Sequence, residues 1–154
     1  GALTGATWST SGTRTSIGSS PGSRPTMGAH EALDIPAPAR TPVFSVEDGV
    51  VAKIFTSQRG GLTVYQFDRG SRYAYYYAHL DAYAPGLREG QPLKRCALVG
   101  YVGLTGNAPA ETPHLHFAIF KLDQDKRWWR GAPVNPHPVL RASSAAPCPP
   151  SAGR

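Results

Sequence analysis

Between residues 43 and 80 the sequence alternates short apolar segments with turn-forming residues, and this spacing constrains the fold most strongly. Glycine-containing turns at residues 47–49, 58–61 and 68–70 recur about every ten residues. Short strands joined by tight turns produce this pattern, whereas a long amphipathic helix needs apolar residues at a period near 3.6. The 17 Gly and 15 Pro residues of the 154-residue chain agree with many turns. The sequence therefore predicts an all-β domain with an antiparallel sheet, barrel or sandwich.

Composition divides the chain into three parts. Residues 1–27 are rich in Gly, Ser and Thr and contain no acidic residue, which is typical of a flexible or loosely packed lead-in. Residues 28–141 carry the predicted strands and form the expected domain. Residues 142–154 are rich in Ala, Pro and Ser, and we predict a disordered tail there. The two cysteines, Cys96 and Cys148, permit one disulfide, but their spacing leaves the pairing open.

The charge balance restricts the partners. A net charge of +6 favours anionic surroundings such as nucleic acid or an acidic cell-wall polymer. The basic residues are scattered apart from short pairs, and this argues against a nucleic-acid platform. The chain has no run of about 18 apolar residues, so we expect no integral membrane segment. It also lacks the basic-then-apolar start of a signal peptide, so its compartment must be inferred from its chemistry.

Two histidines lie two residues apart in the apolar run 113–120. Residues i and i+2 of a strand point to the same face, so His114 and His116 are predicted to project together while Leu115 and Phe117 pack on the other side. A core rarely accommodates two polar rings side by side without partners. The pair therefore indicates one wall of a metal or acid–base site.

Further candidate ligands are His30 with Asp34, and His79. A tight turn can bring His30 and Asp34 onto one centre, and one histidine of the later pair would complete three N/O ligands. Zinc with three protein ligands keeps a fourth position for water, as in catalytic sites. The remaining histidines could then accept a proton or stabilise charge. His137 lies between two prolines and is expected at the surface.

Aromatic residues leave two questions open. With strand alternation, Tyr75, Tyr77 and His79 share one face, which either lines an amphipathic groove or packs against neighbouring strands. Trp128 and Trp129 either cap the core or extend such a groove.

Several ordered motifs together resemble the lysostaphin/LytM-type zinc metallopeptidases, peptidase family M23. The resemblance runs from about residue 28 to residue 138. Its motifs are His30-Glu-Ala-Leu-Asp34, Thr41-Pro42-Val43, Asp48-Gly49-Val50-Val51, Tyr77-Ala78-His79-Leu80, Arg88-Glu89-Gly90-Gln91, Gly100-Tyr-Val-Gly103-Leu-Thr-Gly106-Asn107 and His114-Leu115-His116-Phe117.

The resemblance implies a fold, a metal and a substrate. The fold would be a lysostaphin-type antiparallel barrel-sandwich, similar to a duplicated hybrid motif. One Zn²⁺ per chain would be held by His30, Asp34 and His116, with His79 and His114 beside the attacking water as base and electrostatic stabiliser. The implied activity is hydrolysis of peptide bonds in peptidoglycan cross-links or stems. The substrate groove is expected to include Tyr75, Tyr77 and Asn107.

Three positions depart from the family pattern. Ala32 replaces the glycine of HxGxD, Arg40 replaces the glycine before Thr41-Pro42-Val43, and Cys96 stands where a turn glycine is common. If these positions require φ > 0, each replacement costs about 1 kcal/mol. None of them is an implied ligand, so we expect effects on loop shape or stability rather than on chemistry.

Two other interpretations compete with the peptidase: a regulator or binding module on the same fold, and a barrel-sandwich carrier or structural domain. A non-catalytic LytM-type regulator or cell-wall-binding module typically loses ligands, whereas this chain keeps all five positions. A biotinyl- or lipoyl-type carrier needs an attachment lysine in the characteristic hairpin tip of such domains, and the sequence shows no lysine in a hairpin tip of that kind. The peptidase interpretation places the protein in the cell envelope, periplasmic or secreted, as a monomer without nucleic acid as a partner.

Overall fold

The computed structural model describes residues 32–108 and 111–149, which form nine β-strands and one α-helix. The elements are β1 (Ala32–Pro36), β2 (Pro42–Phe44), β3 (Gly49–Ser57), β4 (Gly61–Asp68), β5 (Tyr73–Tyr83), β6 (Pro92–Leu93), β7 (Leu98–Val102), β8 (His114–Leu122), β9 (Gly131–Val134) and α1 (His137–Ala145). The predicted lead-in at residues 1–27 and the predicted ligand His30 lie outside the described residues. Among the described residues no helix is long and apolar enough to cross a membrane.

All strand pairings in the described part are antiparallel. Neighbouring strands follow the order β1-β8-β5-β4-β3-β6 across the sheet, and β9 pairs with β8. A second set of pairings joins β2 to β7 and β7 to the end of β5. This sheet does not close into a barrel within the residues described. The predicted all-β antiparallel class is confirmed.

Strand β5 connects the two parts of the sheet. Residues 73–78 pair with β8, whereas residues 80–83 pair with β7, and the pairing with β4 shifts register at the same point. His79 lies at this change with φ of 59°, a left-handed conformation that is uncommon for a non-glycine residue. One extra residue in a strand reverses the alternation of the side chains that follow it.

This bulge corrects the prediction for the tyrosine face. Tyr75 and Tyr77 are 6% and 0% exposed and belong to the hydrophobic core, so they do not line a groove. The Tyr77 hydroxyl donates to Oε1 of Gln66 at 2.8 Å and accepts from the backbone N–H of Val46 at 3.2 Å. Regular alternation of side chains along β5 predicts that His79 lies on the same face as these tyrosines, whereas the bulge turns His79 to the opposite face. Tyr76 is the tyrosine on the face of the histidines, with its ring 5.9 Å from that of His116.

Helix α1 and a disulfide hold the segment after the last strand against the sheet. The helix crosses the predicted boundary at residue 142, because Leu140 packs into the core and Arg95 donates to the carbonyl and hydroxyl oxygens of Ser143. Cys148 pairs with Cys96, with their Cα atoms 5.4 Å apart. The part of the predicted tail that the structure describes is therefore helical as far as residue 145 and is then cross-linked to the turn before β7.

The three departures from the family pattern differ in backbone conformation. Arg40 and Cys96 have φ of 68° and 73°, so an L-residue is strained at both positions. Ala32 lies in the extended strand β1, opposite Ala118. The expected conformational cost therefore applies to Arg40 and Cys96 but not to Ala32.

Candidate active site

Strands β1 and β8 place a carboxylate opposite an imidazole. Their register aligns Asp34 with His116, and Nδ1–H of His116 donates to Oδ1 of Asp34 at 2.8 Å. Directly opposed residues of an antiparallel pair share a face and lie within side-chain reach. The neighbours Leu33, Leu115 and Phe117 point to the opposite face and are buried in the core. The apolar residues on either side therefore fix the direction of both polar side chains.

His114 lies on the same side of β8. Its ring is buried, and Nδ1–H donates to the carbonyl oxygen of Thr112 at 2.9 Å. Its Nε2 atom is 3.6 Å from Oδ1 of Asp34. The prediction that His114 and His116 share a face is thereby met, and both rings approach the same carboxylate.

His79 reaches this group from β5. Its backbone N–H donates to the carbonyl oxygen of Gly60 at 2.7 Å, and Nδ1–H donates to the carbonyl oxygen of Thr105 at 2.7 Å. A carbonyl oxygen can only accept, so the proton of the neutral ring lies on Nδ1 and the lone pair on Nε2. The ring is 5.0 Å from that of His114 and 5.8 Å from that of His116. Nε2 has no hydrogen-bond partner among the residues that the structure describes.

Thr105 supports His79 and was not singled out from the sequence. Its hydroxyl donates to the carbonyl oxygen of Leu80 at 2.6 Å and accepts from the N–H of Leu62 at 3.0 Å. A Cβ added to Gly61 would lie 2.2 Å from the Thr105 hydroxyl oxygen, so only glycine allows this approach. The Gly-Leu-Thr-Gly sequence at 103–106 was the signal that could have identified Thr105.

The charges of the cluster influence one another. Burial tends to raise the pKa of Asp34, but the hydrogen bond from His116 and the positive charges of the three histidines outweigh it, so the pKa is lowered. Burial lowers the pKa of His79, assisted by the charges of His114 and His116, although the hydrogen bond to Thr105 opposes the shift. Asp34 is therefore ionised and His79 neutral near neutral pH.

The described residues supply part of the predicted metal site. Asp34 and His116 are in contact, whereas His30 lies outside the described part of the chain. Among the described residues no group of three or more His, Cys, Asp or Glu side chains is arranged to hold a metal ion. The donor types fit zinc, which binds imidazole nitrogen and carboxylate oxygen. A third ligand is needed, and His30, two residues before β1, is the predicted one.

Two further residues singled out from the sequence are Asn107 and His137. Asn107 is exposed in the loop after β7, and its N–H donates to the carbonyl oxygen of Arg59 at 2.9 Å. Its role in substrate binding stays a prediction. His137 begins α1, outside the group of three histidines.

The sequence matches Peptidase family M23 over residues 28–136, and the chain therefore belongs to this family. The L-Ala–D-Glu endopeptidase of Bacillus subtilis (strain 168) is 35% identical over 118 residues, covering 73% of this chain and 35% of that protein. The predicted resemblance is thereby confirmed. The chain spans only about a third of the length of this curated relative.

Solved structures show the same fold. The catalytic domain of the antimicrobial peptidase lysostaphin from Staphylococcus simulans superposes with a TM-score of 0.62 and 25% identity, covering 73% of this chain and 79% of that one. A zinc containing peptidase from Vibrio cholerae has a TM-score of 0.58 and 28% identity, covering 78% of this chain and 31% of that one. The lysostaphin-type architecture is therefore confirmed.

Proposed function

We propose that the protein is a zinc-dependent endopeptidase that hydrolyses peptide bonds in the cross-links or stem peptides of bacterial peptidoglycan. The observation that carries this proposal is the contact between Asp34 and His116, with His79 and His114 beside it. Membership of family M23 and the endopeptidase among the relatives support the reaction class.

The metal would be held by Asp34, His116 and His30, one ion per chain. His116 and Asp34 now share a proton across 2.8 Å, and the same two atoms can share a cation instead. A zinc ion held there would supply Lewis-acid polarisation of the scissile carbonyl and would acidify a water molecule. The Vibrio cholerae zinc containing peptidase among the structural neighbours supports this choice of metal.

His79 would act as the general base. Its Nδ1–H is anchored on Thr105, so Nε2 is the atom that can accept a proton from the attacking water and later return it to the leaving amine. Its lowered pKa keeps the ring neutral and able to accept a proton near pH 7. His114, anchored through Nδ1 on Thr112, would stabilise negative charge that develops at the reacting carbonyl.

The disulfide supports the envelope location that we propose. Disulfides persist in the periplasm and in secreted proteins and are rare in the cytosol. The Cys96–Cys148 bond therefore agrees with a periplasmic or secreted enzyme, independently of the relatives. We further propose that the enzyme is a monomer.

Digestion of purified peptidoglycan tests this function. The protein is assayed for metal by elemental analysis, and new peptide termini are identified by mass spectrometry. We expect about one zinc per chain and new termini with the wild-type chain. Metal-free protein that releases no termini when zinc is supplied would overturn the proposal.

Two variants sharpen this assay. His79→Asn removes the base but retains a residue that tolerates positive φ, so loss of turnover with retained zinc can be separated from backbone damage. His137→Ala is the matched control, because His137 lies outside the cluster and its loss should leave turnover unchanged. If the wild-type chain binds zinc but cleaves nothing, the result would favour the alternative function, a non-catalytic LytM-type regulator or cell-wall-binding module.

A further inference from the structure

The face of the sheet that carries Asp34 and His116 continues into a row of aromatic rings. Ring centroids are 5.9 Å apart for Tyr76 and His116, 4.8 Å for Tyr65 and Tyr76, and 5.1 Å for Tyr65 and Trp128. These rings share a face because Tyr65 pairs with Tyr76 across β4 and β5. We define the aromatic strip as Phe55, Tyr65, Tyr76, Trp128 and Trp129.

The loop between β8 and β9 supplies the outer end of the strip. Residues 123–130 form this hairpin tip, in which Asp123 accepts a hydrogen bond from the N–H of Asp125 at 3.0 Å. Trp128 contacts Phe55 on β3 and Tyr65 on β4, although its own hairpin belongs to β8. Since β5 and β4 separate β8 from β3, the tip folds back across the sheet face.

Trp128 and Trp129 differ in their surroundings. Trp128 is half-buried on the strip, whereas Trp129 is 62% exposed and touches Trp128 edge-on at 5.3 Å. Trp129 is the exposed large apolar side chain among the described residues. An exposed indole that continues a row of rings adds little to the core and is typical of a binding surface.

Hydrogen-bond donors surround these two indoles. Lys126 and Arg130 are exposed on the hairpin tip, and the ammonium of Lys53 lies 5.8 Å from the ring centroid of Trp128. Two neighbouring cations are compensated, because Lys53 pairs with Glu89 at 3.2 Å and Arg127 with Asp125 at 3.1 Å. The surface thus combines flat apolar rings with polar side chains of both signs.

We propose that the hairpin tip and the aromatic strip bind the glycan strand of peptidoglycan while the attached peptide occupies the histidine cluster. A pyranose ring has an apolar C–H face that stacks on an indole and a rim of hydroxyl groups that bond to charged side chains. The chain of contacts from His116 to Trp129 is at most about 21 Å, the reach of about six extended residues. One substrate molecule can therefore contact both regions. This inference rests on the proposed function.

A nucleic acid fits this surface less well. Phosphate backbones are bound by clustered cations that are free to replace counterions. Here Asp125 and Glu89 compensate two of the cations beside the strip. A neutral sugar chain with hydroxyl groups makes better use of such paired charges, which offer both donors and acceptors.

Binding to peptide-free glycan strands tests the inference. The probe is linear chains of alternating N-acetylglucosamine and N-acetylmuramic acid from which all peptides have been removed and whose lactyl carboxyl groups are capped as amides, so that the chains are neutral. They are titrated by calorimetry into the full chain. We expect Trp129→Ala to weaken binding about fivefold to tenfold, and Trp129→Phe to stay within about twofold of wild type. Because the probe contains no scissile peptide bond, this result does not depend on the proposed activity.

Controls separate the contribution of the indole from charge and folding. Arg69→Ala removes an exposed cation in the turn between β4 and β5 that pairs with Asp48 at 3.7 Å rather than with a ring of the strip, and it should leave binding unchanged. Trp129→Ala should keep the wild-type thermal midpoint because the side chain is largely exposed. In cleavage assays the same variant should raise KM for intact peptidoglycan but not for a sugar-free peptide.

Three results would overturn the inference. They are wild-type affinity for the glycan strands in Trp129→Ala, no measurable binding by the wild-type chain, and equal affinity for single-stranded DNA with the same dependence on Trp129. The last result would assign the surface to nucleic acid instead.

Discussion

The cross-link between Cys96 and Cys148 allows a quantitative test of how the end of the chain is held. The bond joins the turn before β7 to the segment after α1 and closes a loop with a sequence separation of 52 residues. We consider the double variant Cys96→Ala/Cys148→Ala. Alanine keeps the Cβ at residue 96, so the strain of its positive φ is the same in both proteins.

Loop closure sets the size of the effect. Opening a loop of 52 residues returns about 4 kcal/mol of conformational free energy to the unfolded chain at 25 °C. The folded state changes less, because Leu140 remains in the core and Arg95 still bonds to Ser143. We therefore expect the free energy of unfolding to fall by about 3–4 kcal/mol, within the usual range for a native disulfide.

Chemical denaturation followed by tryptophan fluorescence measures this loss. For a chain of this size the thermal midpoint should fall by about 10 °C. Wild-type protein that has been reduced and alkylated is the control and should reproduce most of the effect. Cleavage well below the new midpoint should persist, because the rings of His79, His114 and His116 are hydrogen-bonded to Thr105, Thr112 and Asp34, none of which lies in α1.

A small loss would refute this reasoning. If the double variant loses less than about 1 kcal/mol, either the cross-link does not form in the native protein or the rest of α1 holds the chain end without it. A loss of activity in a fully folded variant would instead show that the chain end contributes to the site.

Three further predictions concern single positions. Arg40→Gly should raise the free energy of unfolding by about 0.5–1 kcal/mol, because the φ of Arg40 is 68° and glycine adopts this conformation without strain. Arg69→Gly is the control measured in the same denaturation experiment, and it should give no such gain because Arg69 is an exposed turn residue without positive φ. Tyr77→Phe should lower the free energy of unfolding by about 2 kcal/mol, because buried Gln66 loses the hydroxyl that donates to it, while KM for peptidoglycan stays unchanged. A raised KM would show that Tyr77 belongs to the substrate groove after all. Burial lowers the pKa of His79, and the proposed activity needs the neutral ring, so activity should persist above this pKa and be lost as the pH falls through it. The acid limb of kcat/KM should therefore lie below pH 6.5. An acid limb centred above pH 6.5 contradicts the assignment of His79 as the base.

The fold class followed from the sequence because local signals agreed. Glycine turns at ten-residue spacing define the strands around β3, β4 and β5, and strand alternation places His114 and His116 together. Alternation is a property of each strand by itself, so it needs no knowledge of distant contacts.

The features that the sequence did not predict depend on contacts between distant parts of the chain, and such contacts leave no local sequence signal. The bulge at His79 arises where β5 changes partner from β8 to β7, and the hydrogen bonds that His79 donates to the carbonyl oxygens of Gly60 and Thr105 hold it there. Period-2 counting cannot detect this, so it groups His79 with Tyr75 and Tyr77 and makes these core tyrosines candidates for the substrate groove. The sequence leaves the position of Trp128 open for the same reason, because this residue contacts strands that are far away in sequence.

The end of the chain also differs from the predicted tail where the structure describes it. Helix α1 is short, begins next to prolines and has no side-chain cap, so its residues resemble a polar tail. Its position is set by Leu140 in the core and by a disulfide across 52 residues. Neither contact has a local sequence signal.

The central claim is that two histidines on one strand face have different tasks. His116, bonded to Asp34, is assigned to the metal, whereas His114 is assigned to the reacting groups. Zinc content and turnover of peptidoglycan, measured together on His116→Ala and His114→Ala, test this claim most directly. We predict that His116→Ala loses both zinc and turnover, and that His114→Ala keeps about one zinc per chain but loses turnover. Retention of zinc by His116→Ala, or loss of zinc from His114→Ala in a folded protein, would contradict the account.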